Sequence, residues 1–280
     1  MRIIKAELIR DSIKELCMQA NYHLPIDVKK ALFEAIETED NLLSKETLTV
    51  LKENAEIASN NNAPICQDTG MACIFIEVGQ DVHIEGNLEE AIHEGVRQGY
   101  EQGYLRKSVV DDPVFDRINT KDNTPAIINY TITTGDKIKI TVAPKGFGSE
   151  NMCQIKMLKP SDGVEGIKEF VMKVVNDAGP NACPPMVIGV GIGGSFDRVA
   201  LLSKKAMMRE IGTHHQDERY ASLEKELLEK INKTGIGPAG YGGKTTALSL
   251  NIETYPTHIA GMPVAVSICC HVARHKEVIL

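Results

Sequence analysis

The sequence predicts a mixed α/β or α+β fold, helical in its amino-terminal part and then built of mixed sheet segments with packed helices. Three observations carry this. Apolar residues recur at helical spacing through roughly the first sixty positions. Short β-branched runs such as Ile74-Phe-Ile76 and Val264-Ala-Val-Ser-Ile268 begin only after them, and helical patterns keep returning between those runs. A composition of 42% hydrophobic and 25% charged residues suits a packed core rather than a disordered chain.

Amphipathic patterns predict helices over about Ile3 to Ala20, Asp27 to Glu37 and Ser44 to Asn60. The second starts just after Pro25, which interrupts a helix because it has no amide proton to give. Ile74 to Val78 reads as a strand and Leu88 to Tyr104 as a helix. Ile127 to Thr133 and Lys137 to Ala143 read as a hairpin turning at Thr134-Gly135-Asp136. A helix from about Ser161 to Ala178, a strand over Met186 to Val190, and helices near Ser195 to Met208 and Ala221 to Thr234 follow. Strands over Ser249 to Thr254 and Val264 to Ile268 complete the pattern. The polar stretch Gly212 to Arg219 and the glycine-rich Gly235 to Gly243 are predicted surface loops. No firm internal boundary marks the chain, so residues 1–280 are expected to form one catalytic domain.

The formal charge of -7 comes without a basic tract, which argues against a nucleic-acid partner because phosphate-backbone affinity needs clustered Lys and Arg. Charges enter every turn of Met1 to Cys17, unlike the apolar centre of a signal peptide, and no apolar run reaches the ~18 residues that span a bilayer. A soluble cytoplasmic protein that does not act at a membrane is expected. Seven cysteines in such a setting are expected to be thiols rather than disulfides. Cys17 lies on the stripe of Ile9, Ile13, Leu16 and Ala20, and Cys73 precedes Ile74, so both are expected in the core.

Two glycine motifs invite nucleotide readings. Gly189-Val-Gly191-Ile-Gly193-Gly194 fits G-x-G-x-x-G between a strand and a helix, where a pyrophosphate can approach a helix amino terminus. No second strand ending in an acid follows about 20 residues later, as a ribose would require. The glycines can instead provide a tight strand-to-helix turn, or free backbone amides that sit close to a cluster or carboxylate. Gly242-Gly243-Lys244-Thr245 resembles the end of a P-loop, but Pro238 occupies the position of its first glycine.

Cys66, Cys183 and Cys270 lie in loop-like segments: Pro64-Ile-Cys66-Gln-Asp-Thr-Gly70, Asn181-Ala-Cys183-Pro-Pro185 and Cys270-His-Val-Ala-Arg274-His275. No short C-x-x-C spacing links them, so pattern alone gives a weak metal hypothesis. Three thiolates on a cubane would leave one iron open as a Lewis acid, whereas a closed zinc site would need a fourth ligand such as His271 or His275.

These segments, with Lys145-Gly-Phe-Gly-Ser149, Gly189-Val-Gly-Ile-Gly193 and Thr257-His-Ile-Ala-Gly261 in the same order, closely resemble class I iron-sulfur fumarases. The likeness is to their amino-terminal half and to the alpha subunits of the related two-subunit fumarases and tartrate dehydratases, and it spans nearly the whole chain. The resemblance implies a 4Fe-4S cluster on Cys66, Cys183 and Cys270, with Cys269 left to the core. It places substrate contacts on Gln67, Asp68, Arg106 and His258, and a backbone contact at Gly148.

Asp68 would act as general acid or base, Arg106 would clamp a carboxylate and His258 would donate a hydrogen bond. Arg274 and His275 are expected to support the cluster loop. The resemblance further implies a separate beta subunit carrying the rest of the active site, and an alpha-alpha dimer within a heterotetramer. The leading expectation is reversible hydration of fumarate to (S)-malate, because Lys145-Gly-Phe-Gly-Ser-Glu-Asn and Cys-x-x-x-Arg-His look more like the fumarase versions. The alternatives are dehydration of L-tartrate and, further off, an NAD-binding oxidoreductase.

Overall fold

The computed structural model describes residues 1–280. In chain order its elements are β1 (Arg2–Lys5), α1 (Ala6–Tyr22), α2 (Ile26–Thr38), α3 (Leu42–Asn61), β2 (Met71–Gly79), β3 (Val82–Glu85) and α4 (Leu88–Gln102). Next come β4 (Ile127–Thr133), β5 (Ile138–Lys145), α5 (Phe147–Glu150), β6 (Gln154–Leu158) and α6 (Gly163–Ala178). The rest are β7 (Met186–Gly193), α7 (Phe196–Met207), α8 (Glu218–Asn232), β8 (Ala247–Tyr255), β9 (Met262–Cys269) and β10 (Lys276–Ile279). The expected mixed α+β fold is what forms, with a helical start and sheets interleaved with helices. The chain divides into two compact units.

The first unit comprises Met1–Pro25, Asn54–Phe147 and Arg274–Leu280. Its main sheet has the order β10-β5-β2-β4. Apolar stripes at helical spacing drive its packing. Ile9, Ile13 and Cys17 of α1 and Ile92, Val96 and Tyr100 of α4 bury against Ile74, Ile76, Ile140 and Val142 of the sheet. Each such aliphatic side chain removed from water contributes about 1.5–3 kcal/mol.

The expected hairpin does not form. β4 pairs in parallel with β2, and β5 pairs with β2 in antiparallel fashion, so β2 lies between the two segments that the turn at Gly135 joins. The reason is burial: β2 is apolar along most of its length, with Ala72, Ile74 and Ile76 wholly inaccessible. A strand of that kind needs a neighbour on each side to satisfy its backbone groups, and a local turn does not compete with that demand.

The second unit comprises Ile26–Glu53 and Gly148–Ala273. Its sheet has the order β6-β9-β7-β8, with β7 buried throughout. Ile167, Val171 and Val174 of α6 and Leu227 and Ile231 of α8 join Ile188, Val190, Ile252 and Val266 of the sheet in one core.

The helix α7 packs directly on β7, and Gly189 and Gly191 allow it. A Cβ at Gly189 would lie 2.0 Å from the Ser203 carbonyl oxygen, and one at Gly191 would lie 2.3 Å from that of Val199. The motif that resembles a dinucleotide fingerprint therefore serves close helix-strand packing.

Candidate active site

Asp68 lies in the turn between α3 and β2, and its carboxylate is held by main-chain donors. Asp68 Oδ1 accepts from the Gly70 amide at 3.0 Å and Oδ2 from the Phe147 amide at 2.9 Å. This is the Asx geometry that Asp-Thr-Gly favours, extended to the segment that follows β5. Gly70 is required for it: its φ is +71°, and a Cβ there would stand 2.4 Å from the Lys145 carbonyl carbon. The Asp68 turn and the Lys145-Gly-Phe147 segment are thus locked together within the first unit.

Below the turn, buried donors fix its carbonyls. Tyr100 Oη donates to the Thr69 and Gly70 oxygens at 2.8 and 3.0 Å, and Asn123 Nδ2 donates to Gly70 O at 3.1 Å. Burial pushes the Tyr100 hydroxyl well above the usual phenol range, which keeps it a donor. The Thr69 hydroxyl donates to the Arg106 carbonyl at 3.1 Å, tying the backbone of that residue to the turn. The side chains of Gln67 and Arg106 are exposed.

Sequence reasoning did not find Tyr100 or Asn123 as supports. Tyr100 reads as one more member of the Ile92-Val96 stripe. Asn123 reads as a turn residue of Asp-Asn-Thr-Pro, and its φ of +62° agrees.

His258 and Gly148 belong to the second unit, and both are exposed. His258 follows β8 in a turn where its Nδ1 accepts from the Ala260 amide at 3.2 Å and its carbonyl accepts from Gly261 at 2.9 Å. With Nδ1 accepting, the neutral ring carries its proton on Nε2, and that N–H is left to donate. The residue lines a cavity of about 440 Å³ with Ile192, Gly193, Thr254, Tyr255 and Thr257. A cavity of about 470 Å³ between α2 and α8, at Glu34, His214, Lys225 and Ser249, contains none of the expected site residues.

Cys66 is half-buried in the first unit, whereas exposed Cys183 and half-buried Cys270 belong to the second. In that unit β7 and β9 run antiparallel, with Val187 opposite Cys269. The segments carrying Cys183 and Cys270 therefore share one end of the sheet. Between these segments, Cys183 O accepts from the His271 amide at 3.3 Å and lies 3.1 Å from His271 Nδ1.

The chain does not provide the expected 4Fe-4S site. Nowhere in the chain does a group of three or more His, Cys, Asp or Glu side chains form an arrangement that could hold a metal ion. Cys66 stands on a loop of the first unit, and Cys183 and Cys270 stand on loops of the second. The residues do not fit the group. Cys269 is buried at the end of β9, and Cys17 and Cys73 are buried in the first unit. Burial pushes the Cys17 thiol up to about 12.

The P-loop-like segment is filled by the protein itself. Glu39, 3% exposed, accepts from the amides of Asp40 and Asn41 at 3.1 Å each and from that of Lys244 at 2.9 Å. Lys244 Nζ pairs with Asp40. The Lys244 amide is thus taken by a carboxylate of its own chain.

A profile of the family described as fumarate hydratase (Fumerase) matches residues 10–279. The chain belongs to that family. It is 44% identical over 271 residues to a protein of Methanocaldococcus jannaschii provisionally named L(+)-tartrate dehydratase subunit alpha, covering 95% of each chain. It is 33% identical over 261 residues to the L(+)-tartrate dehydratase subunit alpha of Escherichia coli strain K12, covering 92% of this chain and 86% of that one. The subunit of the O157:H7 strain gives the same figures.

These relatives place the chain among the hydro-lyases of the fumarase and tartrate-dehydratase superfamily and correct the expectation of fumarate as substrate. No helix is long and apolar enough to cross a membrane.

Proposed function

We propose that this chain is the alpha-type subunit of a dehydratase that acts on a hydroxy-dicarboxylate, with L(+)-tartrate as its substrate. The observation that carries this reading is the 44% identity, over 95% of both chains, to a relative named for that activity. The relatives' designation as subunit alpha supports a second, beta-type chain that supplies the remaining contacts.

Dehydration of tartrate removes a proton from one central carbon and hydroxide from the other, giving an enol that becomes a 2-oxo-dicarboxylate. Asp68 is proposed as the acid or base for that proton, since its carboxylate is oriented by the Gly70 and Phe147 amides. Arg106 offers an exposed guanidinium for a substrate carboxylate, and Gln67, next to Asp68, offers an amide. The Nε2–H of His258 and the backbone at Gly148 complete the proposed contacts.

The test is to co-express the chain with the beta-type subunit encoded by its source and to follow oxaloacetate formation from L(+)-tartrate. Fumarate, (S)-malate and the other tartrate stereoisomers serve as comparison substrates. The expected result is highest kcat/KM for L(+)-tartrate. Faster turnover of fumarate or malate, or full activity without the second chain, would overturn the proposal.

A further inference from the structure

We infer that Arg274 is the positioning residue for Asp68, a role that rests on the dehydratase reading above. Arg274 is 6% exposed, and both of its hydrogen-bond acceptors are main-chain carbonyls of sequence-distant segments of the same unit. Its Nη2 donates to Asp68 O at 2.5 Å and its Nε to Pro144 O at 3.4 Å, while Nη1 is buried without a partner.

The placement follows from the sheet. Arg274 precedes β10, β10 pairs with β5 through Lys276 and Val142, and β5 pairs with β2 through Pro144 and Ala72. The guanidinium therefore reaches across the end of β5 to the turn that leads into β2. It staples the backbone of Asp68 to the strand end whose next residues, through the Phe147 amide, orient the Asp68 carboxylate. One bond acts on the residue's backbone, and the other fixes the segment that aims its side chain.

A buried cation with Nη1 left unsatisfied is a costly way to secure a turn. Tyr100 and Asn123 already bind the neighbouring Thr69 and Gly70 carbonyls. What Arg274 adds is the separation between the Asp68 carbonyl and β5. The planar fork can serve two acceptors at once, which a lysine ammonium on a flexible stem does not reproduce. Because Arg274 reaches the reaction through Asp68, it sets turnover and leaves substrate binding nearly untouched.

The experiment uses R274M and R274K in the assembled two-chain enzyme, with L(+)-tartrate as substrate, and hydrogen exchange on the same preparations. R274M is expected to lower kcat by about 10- to 100-fold, the cost of misplacing a catalytic group by around an ångström, with KM close to wild type. R274K should recover part of that loss. Faster exchange should be confined to peptides covering residues 65–70 and 145–148, with α1 and α4 unchanged.

Wild-type kcat in folded R274M would overturn the inference, as would an effect confined to KM or a loss of protection spread through α1 and α4. If R274M does not fold, R274Q, which keeps an amide donor, carries the same measurements. A wild-type assembly inactive on every hydroxy-dicarboxylate would remove the dehydratase reading, and with it the catalytic role. The exchange pattern would then still decide separately whether Arg274 holds the Asp68 turn.

Discussion

The Tyr100 hydroxyl, wholly inaccessible within α4, serves two consecutive carbonyls of the Asp68 turn, those of Thr69 and Gly70. A side chain on the core stripe of a helix thereby shapes the most polar turn of its unit. Removing the hydroxyl leaves Thr69 O without that donor, while Asn123 still serves Gly70 O. Tyr100→Phe is expected to destabilise the fold by about 1–3 kcal/mol, read as a lower urea midpoint at unchanged slope.

Asp68→Asn keeps one oxygen to accept an amide but places an NH2 group against the other. It also removes the charge that proton transfer needs. A fall in kcat of about 100-fold or more is expected, with the far-ultraviolet dichroism of the folded chain retained. Activity within a few-fold of wild type would take the acid-base role away from Asp68.

Asp122 links acid stability to the same region. Partial burial pushes its carboxyl up, but the Thr124 amide and hydroxyl, with Arg97 and Thr120, overcome this and hold it at about 2, below the ordinary 3.8. A depressed folded-state value means that its contribution is complete above the unfolded value. That contribution is lost as pH falls from there through about 2. Asp122→Asn is therefore expected to lower stability at neutral pH, with the difference from wild type closing between about pH 4 and 2. A gap that stayed constant through that window would exclude this linkage. Its neighbour Asn123 holds Ser108 N at 2.7 Å as well as Gly70 O, so loosening this loop should also reach the Asp68 turn.

In the second unit, the Glu224 side chain is 1% exposed and pairs with Arg209. Its carboxylate also accepts from the amides of Ile252 at 2.8 Å and His215 at 3.1 Å. Arg209→Met leaves that buried charge without its cation and is expected to cost about 3–5 kcal/mol. Adding Glu224→Gln should restore part of the loss, and a double-mutant cycle in thermal or urea unfolding measures it.

Periodicity alone determined where α1, α4, α6, α7 and α8 lie, and which of their faces carry Ile9, Ile92, Val171 and Leu227 into the cores. It also placed Cys17 among buried residues, and the family resemblance left Cys269 there. The ordered motifs identified the superfamily and drew attention to Asp68, whose Asx turn is encoded in Asp-Thr-Gly. These readings succeed because leaving water and capping a turn are governed by near neighbours in the chain.

Tertiary structure decided the rest. Ile127–Thr133 and Lys137–Ala143 were locally equipped to pair, yet β2 comes between them because an apolar strand must be flanked on both edges. Cys66, Cys183 and Cys270 had the chemistry of cluster ligands, but ligation depends on where three loops place their thiols, and spacing along the chain does not encode that. Arg274 grips Asp68 and Pro144, because the pairing of β10, β5 and β2 brings those carbonyls to it.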